Sequence, residues 1–173
     1  MNKTILLERL QNERDQFEHL LNRVGFTRQL TMKGVSGNLT VKELLADVLM
    51  REQFIADRLS EVLLGETYAP STSYTALENF QREFGYPDFE SPLLEKEGLH
   101  ALALDGYKNI EFDEIVSEEL AVYASILEAL QTLTHHQCLD HDLFHRVAEH
   151  TYRPYRKTGA AIQRWLKMIA SKS

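Results

Sequence analysis

The sequence predicts an all-α fold, and more specifically a four-helix bundle. Apolar residues recur at helical spacing in four long segments, whereas the alternation typical of β-strands is nearly absent. Two of the connections between these segments are short, and one, between the second and third helices, is long and partly helical. At 173 residues the chain can bury one substantial core, so we expect a single bundle domain over residues 1–173.

The first two helices have the clearest boundaries. Helical spacing of apolar residues predicts a first helix from Lys3 to Val24. Thr40 and Glu43 then form a capping box, in which each side chain satisfies a backbone amide of the first turn. The second helix therefore begins at Thr40, and we expect it to end at Gly65.

The rest of the chain is less regular before it becomes helical again. Residues 66–112 contain three prolines and many aromatics, which is too apolar for a disordered linker. We expect short helices near residues 75–84 and 93–104 to cover one end of the bundle. The third long helix is predicted over residues 113–134, and Asp140 can cap a fourth helix that continues to Ala170.

Helical periodicity predicts which residues share one face of the third helix and of the fourth helix. In the third helix, one face is predicted to carry Val116, Leu120, Tyr123, Leu127 and Leu130. In the fourth, Thr151, Pro154 and Thr158 project onto the inward face, with His150 at its margin and Tyr155 opposite. The threonine hydroxyls are expected to bond back to the carbonyl one turn earlier, or to line a pocket next to the carbonyl that Pro154 leaves free.

Composition excludes several functions. A net charge of −7 argues against general nucleic-acid binding, which depends on neutralising phosphates. We find no apolar run near the ~20 residues that span a bilayer, and the chain starts with a charged amphipathic pattern. The lone Cys138 fits a reducing compartment. We therefore expect a cytoplasmic protein without a nucleic-acid or membrane partner.

Polar residues on the inward side of the second helix are candidates for a site. Glu52 falls at the centre of the apolar stripe, and Asp47 and Arg51 lie on its shoulder. A buried carboxylate is costly unless it is paired, so Glu52 is either half of an ion pair that fixes helix register or a functional carboxylate. Arg14 and Glu13, at the edge of the first helix's stripe, are candidate neighbours.

One pair of histidines has metal-ligand spacing. His141 and His145 are four residues apart, a spacing that can bind zinc on a helix. Both are predicted to face solvent, with no third ligand converging on them. We therefore expect no metal at this pair.

Two segments resemble the DinB/YfiT-like superfamily of bacterial four-helix bundles. Residues 34–48, GVSGNLTVKELLADV, are similar to its loop and second-helix signature, Gly-x-x-Gly-x-Trp-[Ser/Thr]-Val-[Lys/Arg]-[Asp/Glu]-x-Leu-x-His-[Leu/Ile]. Residues 151–165 are similar to its last-helix pattern, Thr-x-x-His-Tyr-x-x-His followed by Ile-x-x-Trp. Helix order and length agree, so the resemblance covers nearly the whole chain. It implies the same bundle fold.

The departures from that pattern concern the metal. The superfamily holds a divalent metal, often nickel or zinc, with three histidines that align with Asp47, Pro154 and Thr158. Proline cannot ligate a metal and a threonine hydroxyl is a weak ligand. Leu39 and Arg51 also replace usual aromatics, although Glu52 fits. The resemblance therefore implies a degenerate metal site, and we expect neither metal nor cofactor.

Two functions compete. Members of the superfamily include thiol-dependent S-transferases, a maleylpyruvate isomerase and the colibactin-resistance-like (ClbS/DfsB) hydrolases, which look like the nearest branch. The first hypothesis is a metal-free small-molecule-binding or detoxifying hydrolase or transferase, with Asp47 or Glu52 activating water. Its substrate site would lie between the second and fourth helices and include Arg51, His150, Thr151, Tyr155 and Thr158. The second is a non-catalytic, stress-linked interaction bundle that forms a homodimer. A metalloprotein with other ligands is a third, weaker alternative.

Overall fold

Helices make up the regular structure of this computed structural model. It describes residues 1–24, 33–96, 98–140 and 142–171, with the side chain of Lys96 outside that description. Within these ranges we find no β-strand, only an isolated bridge between Ser36 and Leu39. The α-helices are α1 (Lys3–Val24), α2 (Val41–Leu64), α3 (Tyr74–Phe84), α4 (Leu99–Asp105), α5 (Phe112–Thr132), α6 (Leu143–His150) and α7 (Tyr152–Ser171). The all-α prediction is confirmed.

The chain divides into two compact units. The first contains Met1–Val48 and His141–Ser173, and the second contains Leu49–Asp140. The first unit thus holds α1, the start of α2, α6 and α7, and the second holds the rest of α2 with α3, α4 and α5. The expectation that the whole chain folds as one domain stays a prediction.

In the first unit, α1 packs against α7 along an apolar stripe. Leu6, Leu10 and Phe17 of α1 are buried, as the helical spacing predicts. On α7 the buried residues recur every three or four positions: Tyr152, Tyr155, Thr158, Gly159, Ala161, Ile162 and Trp165. Gly159 allows a close approach, because a Cβ at this position would lie 3.1 Å from Leu20 Cδ1.

The start of α2 has the predicted capping box. The backbone N–H of Thr40 donates to Glu43 Oε1 at 3.2 Å, and the backbone N–H of Glu43 donates to Thr40 Oγ1 at 3.1 Å. These bonds satisfy amides that lack a partner within the helix. The helix begins at Val41 and ends at Leu64, which confirms the predicted bounds.

In the second unit, the short helix α3 is capped at both ends. The Ser73 side chain accepts a hydrogen bond from the N–H of Ala76, and α3 ends at Gly85, whose φ of +82° suits glycine. Met50, Phe54 and Tyr86 form a buried cluster on which further aromatics pack. The predicted helix at 75–84 is confirmed. The one at 93–104 is replaced by a 3-10 turn, Leu94–Lys96, and α4.

Two predictions about the later helices were wrong. The fourth helix does not run unbroken from Asp140: α6 begins at Leu143, and the chain leaves helical geometry at Thr151 (φ −126°, ψ −90°) before α7. In α5 the predicted face is buried only in part: Leu120 is 50% exposed and Leu130 is buried, while Val116, Tyr123 and Leu127 are half-buried. The other buried positions are Ile115, Glu119 and Ile126. This error arose because α5 is apolar on more than one side, so periodicity did not select the buried face.

Candidate functional site

The break between α6 and α7 arranges the predicted residues of the first unit. The Thr151 hydroxyl donates to the carbonyl of Val147 at 2.6 Å, the back-bonding expected of threonine within a helix. Pro154 lies in the first turn of α7, where its missing N–H leaves no helical bond unmade. Tyr155 donates its backbone N–H to the carbonyl of Thr151 at 3.1 Å. Thr151 is therefore bonded to the last turn of α6 and the first turn of α7.

Tyr155 corrects the projection made from the sequence. It was predicted opposite the inward face, yet it is 1% exposed. Its ring stacks on Phe17 with centroids 5.4 Å apart, and the Arg14 guanidinium lies 5.5 Å from its centroid. Thr158, which was placed on the inward face, is buried, so the projection was wrong for Tyr155 and not for the whole of α7. Tyr155 is a core residue of the first unit.

The remaining predicted residues of the first unit differ in burial. His150 and Thr158 are buried, whereas Asp47 and Pro154 are half-buried. The prediction that Asp47 faces Pro154 and Thr158 across a shared interior stays a prediction, as do the site roles of His150, Thr151 and Tyr155.

Arg51 and Glu52 belong to the second unit. Glu52 is fully buried, which confirms that it lies within the apolar stripe of α2. Arg51 is half-buried, with its guanidinium 4.5 Å from the centroid of the Phe89 ring. This distance is typical of a cation–π contact. The catalytic role of Glu52 and the binding role of Arg51 remain predictions.

The side chains present do not fit the metal of the resembled superfamily. Among the residues that the structure describes, no group of three or more His, Cys, Asp or Glu side chains is placed to hold a metal ion. Pro154 has no donor atom to offer, and Thr158 offers only a hydroxyl. His145 is exposed with Nε2 3.6 Å from Glu149 Oε1, and His141 lies outside the described residues.

A cleft in the second unit was not predicted. It has a volume of about 300 Å³ and lies among α2, the end of α3 with the segment after it, and α5. We call it the Asp57 cleft. Its walls are formed by Gln53, Ala56, Asp57, Ser60, Phe84, Tyr86, Val122 and Ser125. This set includes none of the seven residues that the sequence analysis selected as a site.

Hydrogen bonds orient the polar groups of the Asp57 cleft. The Tyr86 hydroxyl donates to Asp57 Oδ2, and the Ser125 hydroxyl donates to the carbonyl of Ala121 at 3.1 Å. Burial, and after it the hydrogen bond to Asp57, raises the pKa of Tyr86 far above its ordinary value. Tyr86 therefore remains a protonated donor to Asp57 at neutral pH.

A buried arginine adjoins the cleft through Phe84. Arg58, 1% exposed, donates from Nε and Nη2 to the two carboxylate oxygens of Glu61, at 2.9 and 2.7 Å. Its guanidinium also lies 4.9–5.2 Å from four ring centroids. We call these rings the Arg58 cage: Phe54, Tyr68, Phe80 and Phe84. The ion pair and the rings compensate part of the cost of burying this charge, while Nη1 is buried without a hydrogen-bond partner among the described residues.

Sequence reasoning missed these residues for a physical reason. The aromatics between residues 66 and 112 were recognised, but nothing in their spacing says which α2 residue they surround. Asp57 and Arg58 were not singled out because charged residues next to an apolar stripe are usually solvated. One sequence feature could have pointed to them: the many aromatic residues between residues 66 and 112, a stretch predicted to cover one end of the bundle.

Comparisons with known proteins show the fold alone. The sequence matches no protein-family model and no curated protein. The structure is similar to the crystal structure of an uncharacterised protein from Escherichia coli UTI89, with a TM-score of 0.70 and 14% sequence identity. The alignment covers 98% of this chain and 95% of that one. At this identity the likeness supports a shared architecture and carries no function.

Proposed function

We propose that this chain binds a small polar organic molecule in the Asp57 cleft. The observation that carries the proposal is a cleft of about 300 Å³ lined by a carboxylate, hydroxyls and an amide beside apolar side chains. Ligand sites in proteins begin at about this volume and combine an apolar wall with a few polar groups. This proposal keeps the small-molecule hypothesis and moves its site to the second unit.

Filling the cleft tests this proposal. Ala56 lines the cleft and is half-buried, so Ala56→Phe would place a ring inside it. Ala124, exposed on α5, provides the matched control Ala124→Phe. Ligand-observed NMR with a set of small amines, alcohols, amides and acids should show binding to the wild type and Ala124→Phe, and loss of binding in Ala56→Phe. Equal binding to all three proteins would contradict the proposal.

A metal-free hydrolase or transferase is the second candidate. The full burial of Glu52 favours it, because a carboxylate in the protein interior is costly and is often kept there for a function. If Glu52 activates water, Glu52→Gln should abolish turnover of an electrophilic ester or epoxide probe while the free energy of unfolding changes little. If Glu52 is instead a structural partner, Glu52→Gln should lower the free energy of unfolding and leave turnover at the same level as the wild type.

We also propose that α1, α2, α5 and the α6–α7 pair are the four helices of a DinB/YfiT-like bundle. The order and lengths of these elements support the proposal. Localisation in the cytoplasm and pairing into a homodimer remain expectations from the sequence. Among the described residues, no helix has the length and apolar character needed to cross a membrane.

A further inference from the structure

We propose that the Asp57 cleft takes an organic ammonium ion, with the ligand's N–H groups donating to Asp57 and its apolar body against Phe84. This inference rests on the proposed function and names its ligand class. It follows from three properties of the cleft: the direction of its hydrogen bonds, its formal charge and the arrangement of its apolar wall.

The polar groups of the cleft present acceptors. The hydroxyl proton of Tyr86 is used by Asp57, and that of Ser125 is used by the carbonyl of Ala121. These two hydroxyl protons are directed at protein atoms, so the Tyr86 and Ser125 oxygens offer lone pairs to a ligand.

Asp57 offers the strongest of these acceptors. Its Oδ2 accepts from Tyr86, while its Oδ1 accepts no hydrogen bond from the residues that the structure describes. A ligand that carries several N–H donors on one atom matches a cleft that holds a carboxylate and further hydroxyl oxygens. A primary ammonium has three such donors, as a lysine side chain does.

Formal charge selects the same ligand. Asp57 is the lining residue that carries a formal charge, and none of the eight lining residues is a lysine or arginine. The nearby Arg58 is already paired with Glu61, and its guanidinium lies among the rings of the Arg58 cage. An anion would therefore meet a carboxylate without a compensating cation, whereas an ammonium would form an ion pair.

The apolar wall sets the rest of the ligand. Ala56, Phe84 and Val122 line the cleft together with the polar groups. A short alkyl chain attached to the ammonium would bury its methylenes against these side chains. The expected ligand is a small alkylamine, or a larger molecule that ends in one.

Three probes of the same length separate charge from shape. The full-length protein is titrated with n-butylammonium, n-butanol and n-butyrate at matched ionic strength, and affinities are measured by protein-observed NMR. We expect n-butylammonium to bind roughly fivefold more tightly than n-butanol, as for a partly exposed ion pair, and n-butyrate to bind most weakly. The shifted amides should include those of Ser60, Tyr86 and Ser125.

Two variants assign the preference to Asp57. Asp57→Asn retains an oxygen that accepts from Tyr86 and should reduce the ratio of n-butylammonium to n-butanol affinity to within about twofold of unity. Asp105→Asn removes an exposed carboxylate at the end of α4 and should leave the ratio unchanged. Circular dichroism checks that both variants are folded.

The outcomes distinguish this inference from the proposed function. If n-butanol and n-butylammonium bind the cleft equally, or Asp57→Asn keeps the preference, the ammonium assignment is wrong while the cleft remains a ligand site. If none of the three probes shifts the cleft amides, and the wider fragment set also fails to bind, the proposed function is wrong as well.

Discussion

The two compact units differ in how many charged carboxylate and guanidinium side chains they bury. Among the described residues, the first unit buries Arg14, and the second buries Glu52, Arg58, Asp88 and Glu119. The first unit depends mainly on an apolar stripe between α1 and α7, which tolerates changes that keep volume and pattern. A buried charge is tolerated only with particular partners, so the second unit depends on specific side chains brought together from distant positions.

The largest expected effect is the loss of the guanidinium in the second unit. Arg58→Ala removes the donor to both oxygens of Glu61 and leaves the Arg58 cage without the group that fills it. We expect the free energy of unfolding to fall by about 3–5 kcal/mol, measured by urea unfolding. Arg58→Met should cost less, because a side chain of similar volume refills the cage and Glu61 can be hydrated.

A matched control shows whether burial is the cause. Arg82 on α3 also bonds a carboxylate on its own helix, with Nη2 3.0 Å from Glu78 Oε1, but its side chain is 71% exposed. Arg82→Ala should change the free energy of unfolding by less than about 0.5 kcal/mol. If Arg58→Ala and Arg82→Ala have equal effects, the second unit does not depend on its buried charge.

The next effect tests the close packing of the first unit. Gly159→Leu would push a branched side chain into α1, because even a Cβ at this position lies 3.1 Å from Leu20 Cδ1. We expect a loss of about 2 kcal/mol in thermal and urea unfolding. Gly159→Ala should stay within about 1 kcal/mol of the wild type, since Leu20 can shift and alanine favours the helix. A neutral Gly159→Leu would indicate that α1 and α7 are loosely packed.

Alkaline pH provides a third contrast, specific to the second unit. Burial, and then the bond to Asp57, raises the pKa of Tyr86 above its ordinary value near 10. Above about pH 10 the unfolded chain loses the tyrosine proton while the folded chain keeps it, so stability is retained below that pH and falls above it. The loss should be about 1 kcal/mol per pH unit for this residue.

The control compares how the free energy of unfolding depends on pH in the wild type and in Tyr86→Phe. Tyr86→Phe cannot titrate at this position, so its free energy of unfolding should fall less steeply between about pH 10 and about pH 11 than that of the wild type. Other groups that titrate in this range contribute to both proteins and cancel in the difference. Parallel curves for the two proteins would show that the Tyr86 hydroxyl is accessible to solvent.

The smallest effect is expected at an exposed ion pair of the first unit. Arg156 of α7 donates from Nη2 to Glu13 of α1 at 2.6 Å, yet its side chain is 61% exposed. Arg156→Ala should cost less than about 1 kcal/mol, and added salt should reduce that cost further. A cost comparable to that of Arg58→Ala would remove the distinction drawn between the two units.

The sequence predicted those parts of the fold that depend on local signals. The bounds of α1 and the capping box of Thr40 and Glu43 follow from spacing and hydrogen-bonding chemistry within a few residues, and both are confirmed. The break at Thr151 was missed because Pro154 was placed inside one continuous fourth helix, next to a carbonyl that it leaves free. A proline in the first turn indicates a helix start equally well.

The candidate site could not be predicted from neighbouring residues in the sequence, because its side chains come from distant positions. Asp88 is fully buried because the Tyr68 hydroxyl and both the N–H and hydroxyl of Ser71 donate to it, from 17 to 20 residues away in the chain. Asp57 likewise receives its partner, Tyr86, from 29 residues away. Such pairings are set by tertiary packing, which no short pattern in the sequence encodes.

The most direct test of this account is a crystal structure of the full-length protein with n-butylammonium. The account predicts the amine nitrogen about 3 Å from Asp57 Oδ1, with the alkyl chain against Phe84. An amine bound instead beside Asp47 and Thr158, with the Asp57 cleft empty, would contradict it and return the ligand site to the position expected from the resembled superfamily.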